Sequence, residues 1–213
     1  MIKAKPEDHF RLYLDYVRDL RGDEQYPCIR IARQYEGDPV IKLAPTQHGI
    51  SASKQKKRTD EFIEFLYSDP PIVEMQVVTL ATQKVFDAIC NLKKLESLRL
   101  KWFRGKDLSK ITQLTSLKKL FIENGSSVAD ISPLAEMEQL ETLILGNTVK
   151  IHDYSCLEKL QNLKVLGICK YQSDYSSNRI KIVSDDFVDH LPSLEWVDLN
   201  DCRICKDIDT YTY

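Results

Sequence analysis

Residues 92–100 read LKKLESLRL, with leucine at the first, fourth, seventh and ninth positions, and this stretch decides the fold. The first two leucines are three residues apart, close to one helical turn, whereas the last two are two residues apart, as in a strand. We therefore predict a short helix or turn that leads into a short strand. The apolar stripe shared by the two parts cannot be buried by one such unit alone.

The same pattern recurs through the second two-thirds of the chain. Four more copies read LTSLKKLFI from Leu114, MEQLETLIL from Met137, LQNLKVLGI from Leu160 and LPSLEWVDL from Leu191, with a weaker copy, IVEMQVVTL, from Ile72. The copies begin 20 to 23 residues apart, except for a last interval of 31 residues. Repeats of this period stack and bury a shared core. The pattern thus predicts an α/β solenoid of about six repeats with a parallel concave sheet.

The nine-residue pattern resembles leucine-rich repeats, and residues 130–134, DISPL, look like a turn of internalin-like bacterial repeats. Ser132 before Pro133, and Ser155 three residues before Glu158, predict two helix starts. The resemblance implies a protein-binding solenoid over about residues 71–201. It also implies an asparagine ladder after the strands, from which this chain departs, since the expected places hold Phe103, Gly125, Thr148, Tyr171 and Cys202.

Residues 1–70 lack the repeat and are predicted to form an α+β cap, followed by the solenoid in residues 71–213. Apolar spacing predicts an amphipathic helix over residues 6–20 and a second helix over residues 59–67. Between them, residues 28–32 and 40–43 flank a turn sequence and suggest a β-hairpin. The simplest interpretation is a helix–hairpin–helix cap on the open end of the repeat array.

Composition bounds the function. The formal net charge is −2, so no general attraction to nucleic acid or an anionic membrane is expected. No stretch has the roughly 20 apolar residues needed to span a bilayer, and no export signal is recognisable, which favours a cytoplasmic protein with reduced cysteines. Residues 47–58 contain three lysines and an arginine. We interpret that run as a solvated linker rather than a nucleic-acid site.

No catalytic, cofactor or metal site is predicted. Cys202 and Cys205 form a CxxC pair, but a zinc site needs two further ligands at suitable spacing, and a structural role after a strand is favoured. The four histidines match no metal or nucleophile signature, and no glycine-rich phosphate loop is present.

The predicted functional site is a surface. Strand residues between the core leucines point into the concavity, and there we expect exposed apolar groups rimmed by charges. A surplus of about eight residues after the strand near Leu166 predicts a contact loop. The partner-binding set comprises Arg99, Lys101, Lys119, Phe121, Glu123, Ile144, Val165, Trp196 and Asp198 on the strands, with Tyr171, Tyr175 and Arg179 in the loop.

These features predict a protein–protein interaction module whose partner is another protein. A bacterial immunity protein that neutralises a toxin is one hypothesis, made by analogy of fold and size. A regulatory or scaffold subunit that docks on an enzyme such as a phosphatase is the alternative. A substrate-selecting part of an effector enzyme is disfavoured, because neither flank contains a recognisable catalytic domain.

Overall fold

The computed structural model describes residues 27–170 and 180–205, together with the backbone of Ile2–Lys3. These residues form one large parallel sheet and one small one. The strands in chain order are β1 (Ile2–Lys3), β2 (Cys28–Ile29), β3 (Val40–Leu43), β4 (Glu74–Ala81), β5 (Ser97–Phe103), β6 (Lys119–Ile122), β7 (Thr142–Gly146), β8 (Val165–Cys169), β9 (Ile180–Ile182), β10 (Trp196–Asp198) and β11 (Cys202–Ile204).

The large sheet has nine described strands in the order β1-β10-β8-β7-β6-β5-β4-β3-β2, and every neighbouring pair is parallel. Strands β9 and β11 form a separate parallel pair. Strands β1 and β2 are consecutive in sequence among the described strands but lie at opposite edges of the large sheet. Parallel neighbours require a crossover between them, and short helices supply most of these crossovers.

Each repeat carries a helical segment ahead of its strand; this segment ends before the nine-residue pattern begins, and the first half of the pattern, predicted as a short helix or turn, is a turn. The first repeats use two α-helices, α1 (Ala52–Tyr67) and α2 (Gln83–Ile89). The later ones use five-residue 3-10 helices at Ser109–Gln113, Ser132–Glu136, Ser155–Lys159 and Asp186–His190, and a three-residue one lies at Ala32–Gln34. A short 3-10 turn suits a repeat of about 23 residues, because it returns the chain to the sheet quickly. Within the described part of the chain, no helix is both long enough and apolar enough to cross a bilayer.

The predicted core register is confirmed. Position seven of the repeat is buried in every copy from Leu92 onward, with relative exposures of 0–3% at Leu98, Leu120, Leu143, Leu166 and Val197. These residues are direct partners across successive strands. The leucine row is therefore one continuous stripe through the stack, which each repeat shares with its neighbours.

The weak copy beginning at Ile72 was predicted in the wrong register. Met75 pairs with Leu98 and Val77 with Leu100, so Met75 and Val77 hold the two buried strand positions. The predicted pair, Val78 and Leu80, is only half-buried. The true copy starts three residues earlier, 23 residues before Leu92, because the pairing shifts between Val77 and Leu80 and the apolar pattern continues beyond that irregularity.

The predicted hairpin is also wrong. Strand β2 pairs with β3 in parallel, and β3 pairs in parallel with β4, so the large sheet continues across residue 70. Two short apolar runs with a turn between them do not reveal strand direction, and here the 3-10 helix Ala32–Gln34 provides a crossover. The helix predicted over residues 6–20 lies outside the described residues, and the division into a cap and a solenoid at residue 70 stays a prediction.

The basic run is helical rather than a linker. Helix α1 begins at Ala52, with the Ser51 side chain as an N-cap that accepts from the backbone N–H of Lys54. The later part of this helix was predicted over residues 59–67. The earlier turns were missed because their polar residues carry no apolar period, although Ser51 is a cap residue of the preferred type.

Aspartates, not the predicted serines, organise the starts of the 3-10 helices. The Oδ1 atom of Asp107 accepts from the Ser109 backbone N–H at 2.7 Å, and Asp130 and Asp153 accept from Ser132 and Ser155 at 2.8 Å. This bond helps to hold the pKa of the Asp107 carboxyl below its usual range. The Asp-x-Ser spacing recurs every 23 residues, so these helix starts could have been predicted from the sequence.

Candidate partner-binding surface

One face of the large sheet points away from the buried leucines, and we call it the open face. The strand register divides its side chains into rows. The first row, at the start of the strands, contains Lys119, Thr142, Val165 and Trp196, which are successive partners. The second row, two residues further along, contains Arg99, Phe121, Ile144, Gly167 and Asp198. Strand alternation places both rows on the predicted face.

The first row is accessible from β6 to β10, whereas Ser97, the partner of Lys119 on β5, is only 8% exposed. Lys119 is exposed, and Thr142, Val165 and Trp196 are each partly exposed. Ile144 in the second row and Lys101 on β5 are likewise partly exposed. Five of the predicted strand residues therefore present surface: Lys101, Lys119, Ile144, Val165 and Trp196.

The predicted exposure is wrong for the other four strand residues. Phe121 and Asp198 are 3% exposed, Glu123 is 5% exposed and Arg99 is 6% exposed. Alternation fixes the direction of a strand side chain but says nothing about what else lies against that face. A residue directed to the open face can therefore be as buried as a core leucine, and these four offer no surface to a partner in this conformation.

Arg99 and Glu123 bind each other. The guanidinium of Arg99 donates through Nε and Nη2 to Glu123 Oε1, and both side chains are almost fully buried. The pair joins β5 to the residue directly after β6 on the open face. Nearby, Asp198 Oδ1 accepts from the backbone N–H of Asn200 at 3.0 Å and from its side-chain amide at 2.8 Å. These charged side chains form contacts within the fold and are not a charged rim around a binding surface.

Two glycines permit the close approach of neighbouring strands on the open face. A Cβ on Gly146 would overlap the backbone carbonyl of Glu123, whose carbon would be 2.8 Å away. A Cβ on Gly167 would lie 2.7 Å from Ile144 Cδ1, the end of a side chain. A side chain at position 146 would therefore collide with rigid backbone, whereas one at position 167 would collide with a side chain that can move.

The geometry of the cysteines favours a structural role. All six are free thiols, and the Cys202 Sγ donates to the Ile168 carbonyl oxygen at 3.5 Å, which ties the start of β11 to β8. Burial raises the pKa of the Cys202 thiol to about 12. Burial likewise raises the pKa of Cys169, which lies on the open face of β8. Among the described residues, no cluster of three or more His, Cys, Asp or Glu side chains could hold a metal ion.

The predicted contact loop falls outside the described residues. Tyr171, Tyr175 and Arg179 lie between the end of β8 and the start of β9, and their role stays a prediction.

The repeats match known proteins. Residues 56–148 match the family model of the R13L1/DRL21 leucine-rich repeats. A sequence comparison with curated proteins finds no match. In structure, the chain is similar to internalin C2 of Listeria monocytogenes, with a TM-score of 0.51 and 22% identity over 67% of this chain and 56% of that one. It is also similar to the internalin InlF of the same organism, with a TM-score of 0.48 and 20% identity over 65% of this chain and 37% of that one.

The nine-stranded parallel stack, the leucine rows, the family-model match over residues 56–148 and the similarity to internalin C2 define the fold. The chain has a leucine-rich-repeat fold, an α/β solenoid whose repeats resemble those of internalin C2. It covers about half or less of the length of the two internalins. Repeat folds of this kind typically present an extended concave surface to a binding partner.

Proposed function

We propose that this protein binds a partner protein through the first row of the open face, formed by Lys119, Thr142, Val165 and Trp196, together with Ile144. The observation that carries the proposal is the contrast in exposure across the face. The first row is accessible across four paired strands, whereas most of the second row is buried. With strands about 4.8 Å apart, the row extends for about 14 Å, enough for several partner side chains.

The chemistry of the row suits protein recognition. Trp196 supplies an aromatic group, and Val165 and Ile144 provide partly exposed aliphatic surface beside it. Lys119, at the other end of the row, is the exposed charge. An apolar centre with an aromatic anchor and a charged rim is the usual composition of a binding hot spot.

The insertion loop extends the proposed surface. Val165 begins β8 and Cys169 ends it, so the loop leaves the sheet at the opposite end of the strand from the first row. Four residue steps separate these ends by about 13 Å, a distance that one protein partner spans readily. We propose that Tyr171, Tyr175 and Arg179 contact the same partner, together with the partly exposed Lys101 on β5.

We also propose a biological role for the binding. Neutralising a toxin, as a bacterial immunity protein does, requires a binding surface and no catalysis, and we favour this role. Docking on an enzyme as a regulatory or scaffold subunit makes the same structural demands. A cytoplasmic location is supported by six cysteines that are all free thiols, since exported proteins commonly oxidise theirs.

The experiment is to purify the protein from its native cells with its partner attached, identify the partner, and measure the affinity by calorimetry. Val165→Glu and Trp196→Ala should each weaken binding by about tenfold or more. Val149→Glu is the matched control, because Val149 is also an exposed valine but lies in a turn away from the row. Tyr171, Tyr175 and Arg179 are replaced together by Ala to test the loop.

Equal affinities of the Val165→Glu, Trp196→Ala and control variants would refute the row as the binding surface, provided that all melt within about 2 °C of the parent protein. An unchanged affinity of the triple loop variant would remove the loop from the proposal alone. The partner's activity, measured with and without the protein, separates a neutralised toxin from an enzyme that is merely docked.

A further inference from the structure

A basic groove lies at the β2 edge of the sheet, far from Trp196 in strand order. It has a volume of about 660 Å³ and runs between α1 and the segment around Ala32–Gln34. The groove is lined by cations and by apolar side chains, chiefly Ile31, Arg33, Lys54, Lys57, Arg58 and Phe65. Ile31 and Phe65 are only partly buried, so apolar surface remains open within the groove.

Helical periodicity places the basic residues that α1 contributes to the groove on one face of the helix. Lys57 and Arg58 follow Lys54 along α1 at three and four residues, Glu61 lies four residues after Lys57, and Phe65 lies four residues after Glu61. Residues at this spacing lie on one face of a helix. That face forms one wall of the groove, and Arg33 stands on the opposite wall.

Arg58 is a partly buried cation, and among the described residues no carboxylate forms an ion pair with it. Its guanidinium donates to the Ala44 carbonyl at 3.0 Å and to Gln47 Oε1 at 2.5 Å, and both acceptors are neutral. Its buried Nε has no hydrogen-bond partner. Burial and the neighbouring Arg30 lower the pKa of Arg58. A desolvated guanidinium in this state is stabilised by any anion that reaches it.

The other cations of the groove are also without ion pairs. In the described part of the chain, no carboxylate lies within salt-bridge distance of Arg33, Lys54 or Lys57. Lysines on the helical side of the repeats behave differently, since Lys110, Lys118 and Lys164 pair with Asp87, Glu96 and Glu141 at 2.7–3.0 Å. The groove therefore combines unneutralised positive charge with open apolar surface.

We propose that this groove binds an acidic segment of a partner protein, with carboxylates against Arg58, Lys57 and Arg33 and an apolar side chain against Phe65 and Ile31. Glu61 and Glu64 also line the groove and would repel a continuous phosphate backbone. A peptide places its carboxylates individually and supplies apolar side chains as well, which matches the mixed lining. This second surface is independent of the first row of the open face.

The test selects phage-displayed random peptides of about a dozen residues on the immobilised full-length protein. The selected peptides should be rich in Asp and Glu and should contain at least one apolar residue. The double variant Lys54→Glu/Lys57→Glu should weaken their binding by about tenfold or more, because both lysines are exposed and opposite charge would repel the peptide. Arg58→Gln tests the buried guanidinium separately.

The matched control is Lys93→Glu/Lys159→Glu, which reverses two exposed lysines outside the groove and should leave the affinity unchanged. The parent protein should also lose affinity for the peptides as salt rises. Circular dichroism melting shows that each variant is folded. The exposed double variant keeps the test decisive even if Arg58→Gln fails to fold.

Three outcomes would overturn the proposal: no enrichment of acidic peptides, an equal loss of binding in the control and groove variants, or binding of a single-stranded oligonucleotide at the groove in place of acidic peptides. The first-row variants Val165→Glu and Trp196→Ala should bind the selected peptides normally. A failure of the groove is therefore distinguishable from a failure of the proposed row.

Discussion

Arg99 of β5 and Glu123, the residue directly after β6, form a buried ion pair on the open face of the sheet. Both residues stand where alternation directs side chains away from the leucine core. Their burial means that part of the open face is shielded from solvent. Charged side chains there must be compensated by pairing with each other. The accessible part of that face is correspondingly narrower than the strand pattern suggests.

Removing one partner of this ion pair should destabilise the fold. Arg99→Met leaves the Glu123 carboxylate buried without its guanidinium, and we expect a loss of about 3–5 kcal/mol in the free energy of unfolding. The double variant Arg99→Met/Glu123→Leu should lose less than Arg99→Met alone, since it leaves neither charge. Urea denaturation of the three proteins checks this, and a single variant as stable as the parent would contradict the buried pair.

Shortening a leucine of the continuous core row should be costly. Leu143 is fully buried between Leu120 and Leu166, so Leu143→Ala should reduce the free energy of unfolding by about 2–5 kcal/mol. Ile144→Ala, at the adjacent and partly exposed position, is the control and should cost less. Chemical denaturation measures both, and a loss below about 1 kcal/mol at Leu143 is incompatible with the register.

Gly146→Ala should destabilise more than Gly167→Ala. The new methyl group at position 146 would overlap the Glu123 backbone, which moves only if the two strands separate, and overpacking of this kind costs about 1–3 kcal/mol. At position 167 the obstacle is the end of the Ile144 side chain, which can change rotamer. Thermal melting of the two variants provides the comparison, and the reverse order would show that the strand spacing is misjudged.

Thiol reactivity should follow burial. Cys28 is exposed, whereas burial raises the pKa of Cys90, Cys169 and Cys202, in the last case to about 12. At about pH 8 an alkylating reagent should therefore modify Cys28 first in the native protein, because the thiolate is the reactive form. Mass spectrometry of timed samples identifies the modified sites. Early modification of Cys202 would contradict its hydrogen-bonded, buried position.

The same burial predicts a pH dependence of stability. The Cys202 pKa is raised from an ordinary value near 9 to about 12. The unfolded protein therefore releases this thiol proton at lower pH than the folded one, and stability falls as pH rises from about 9 to about 12. Cys202→Ala should flatten this part of the curve. Equal slopes for the variant and the parent in denaturation between those pH values would refute the assignment.

The CxxC pair should need no metal. A chelator should leave the melting temperature unchanged, because the Cys202 thiol is engaged with the Ile168 carbonyl. A marked fall in melting temperature on addition of the chelator would show that Cys202 and Cys205 bind a metal ion after all. Thermal melting with and without chelator, on the same protein preparation, is sufficient.

Repeat periodicity predicted most of the fold because it is a local property. The nine-residue pattern correctly placed Leu98, Leu120 and Leu143 in one buried row, and it located the strands β5 to β8. It failed where the local pattern was ambiguous. The apolar run through Met75 and Val78 admits two registers, and only pairing with β5 selects one of them.

The site was less predictable, since accessibility depends on packing from other parts of the chain. Val165 and Phe121 are both directed to the open face by strand alternation and were both predicted to be exposed, yet Val165 is accessible and Phe121 is buried. The groove beside Arg58 was missed because its walls come from α1 and the segment around Ala32–Gln34, whose contact no sequence spacing encodes.

The sequence by itself determined the repeat, the strand order from β4 to β8 and the direction of each strand side chain, because these follow from spacing along one chain segment. The tertiary structure alone decided which of those side chains meet solvent, that β2 runs parallel to β3, and that Arg58 donates to the neutral oxygens of Ala44 and Gln47. The physical reason is that direction is set by backbone geometry within a few residues, whereas burial, pairing and charge compensation are set by groups distant in sequence.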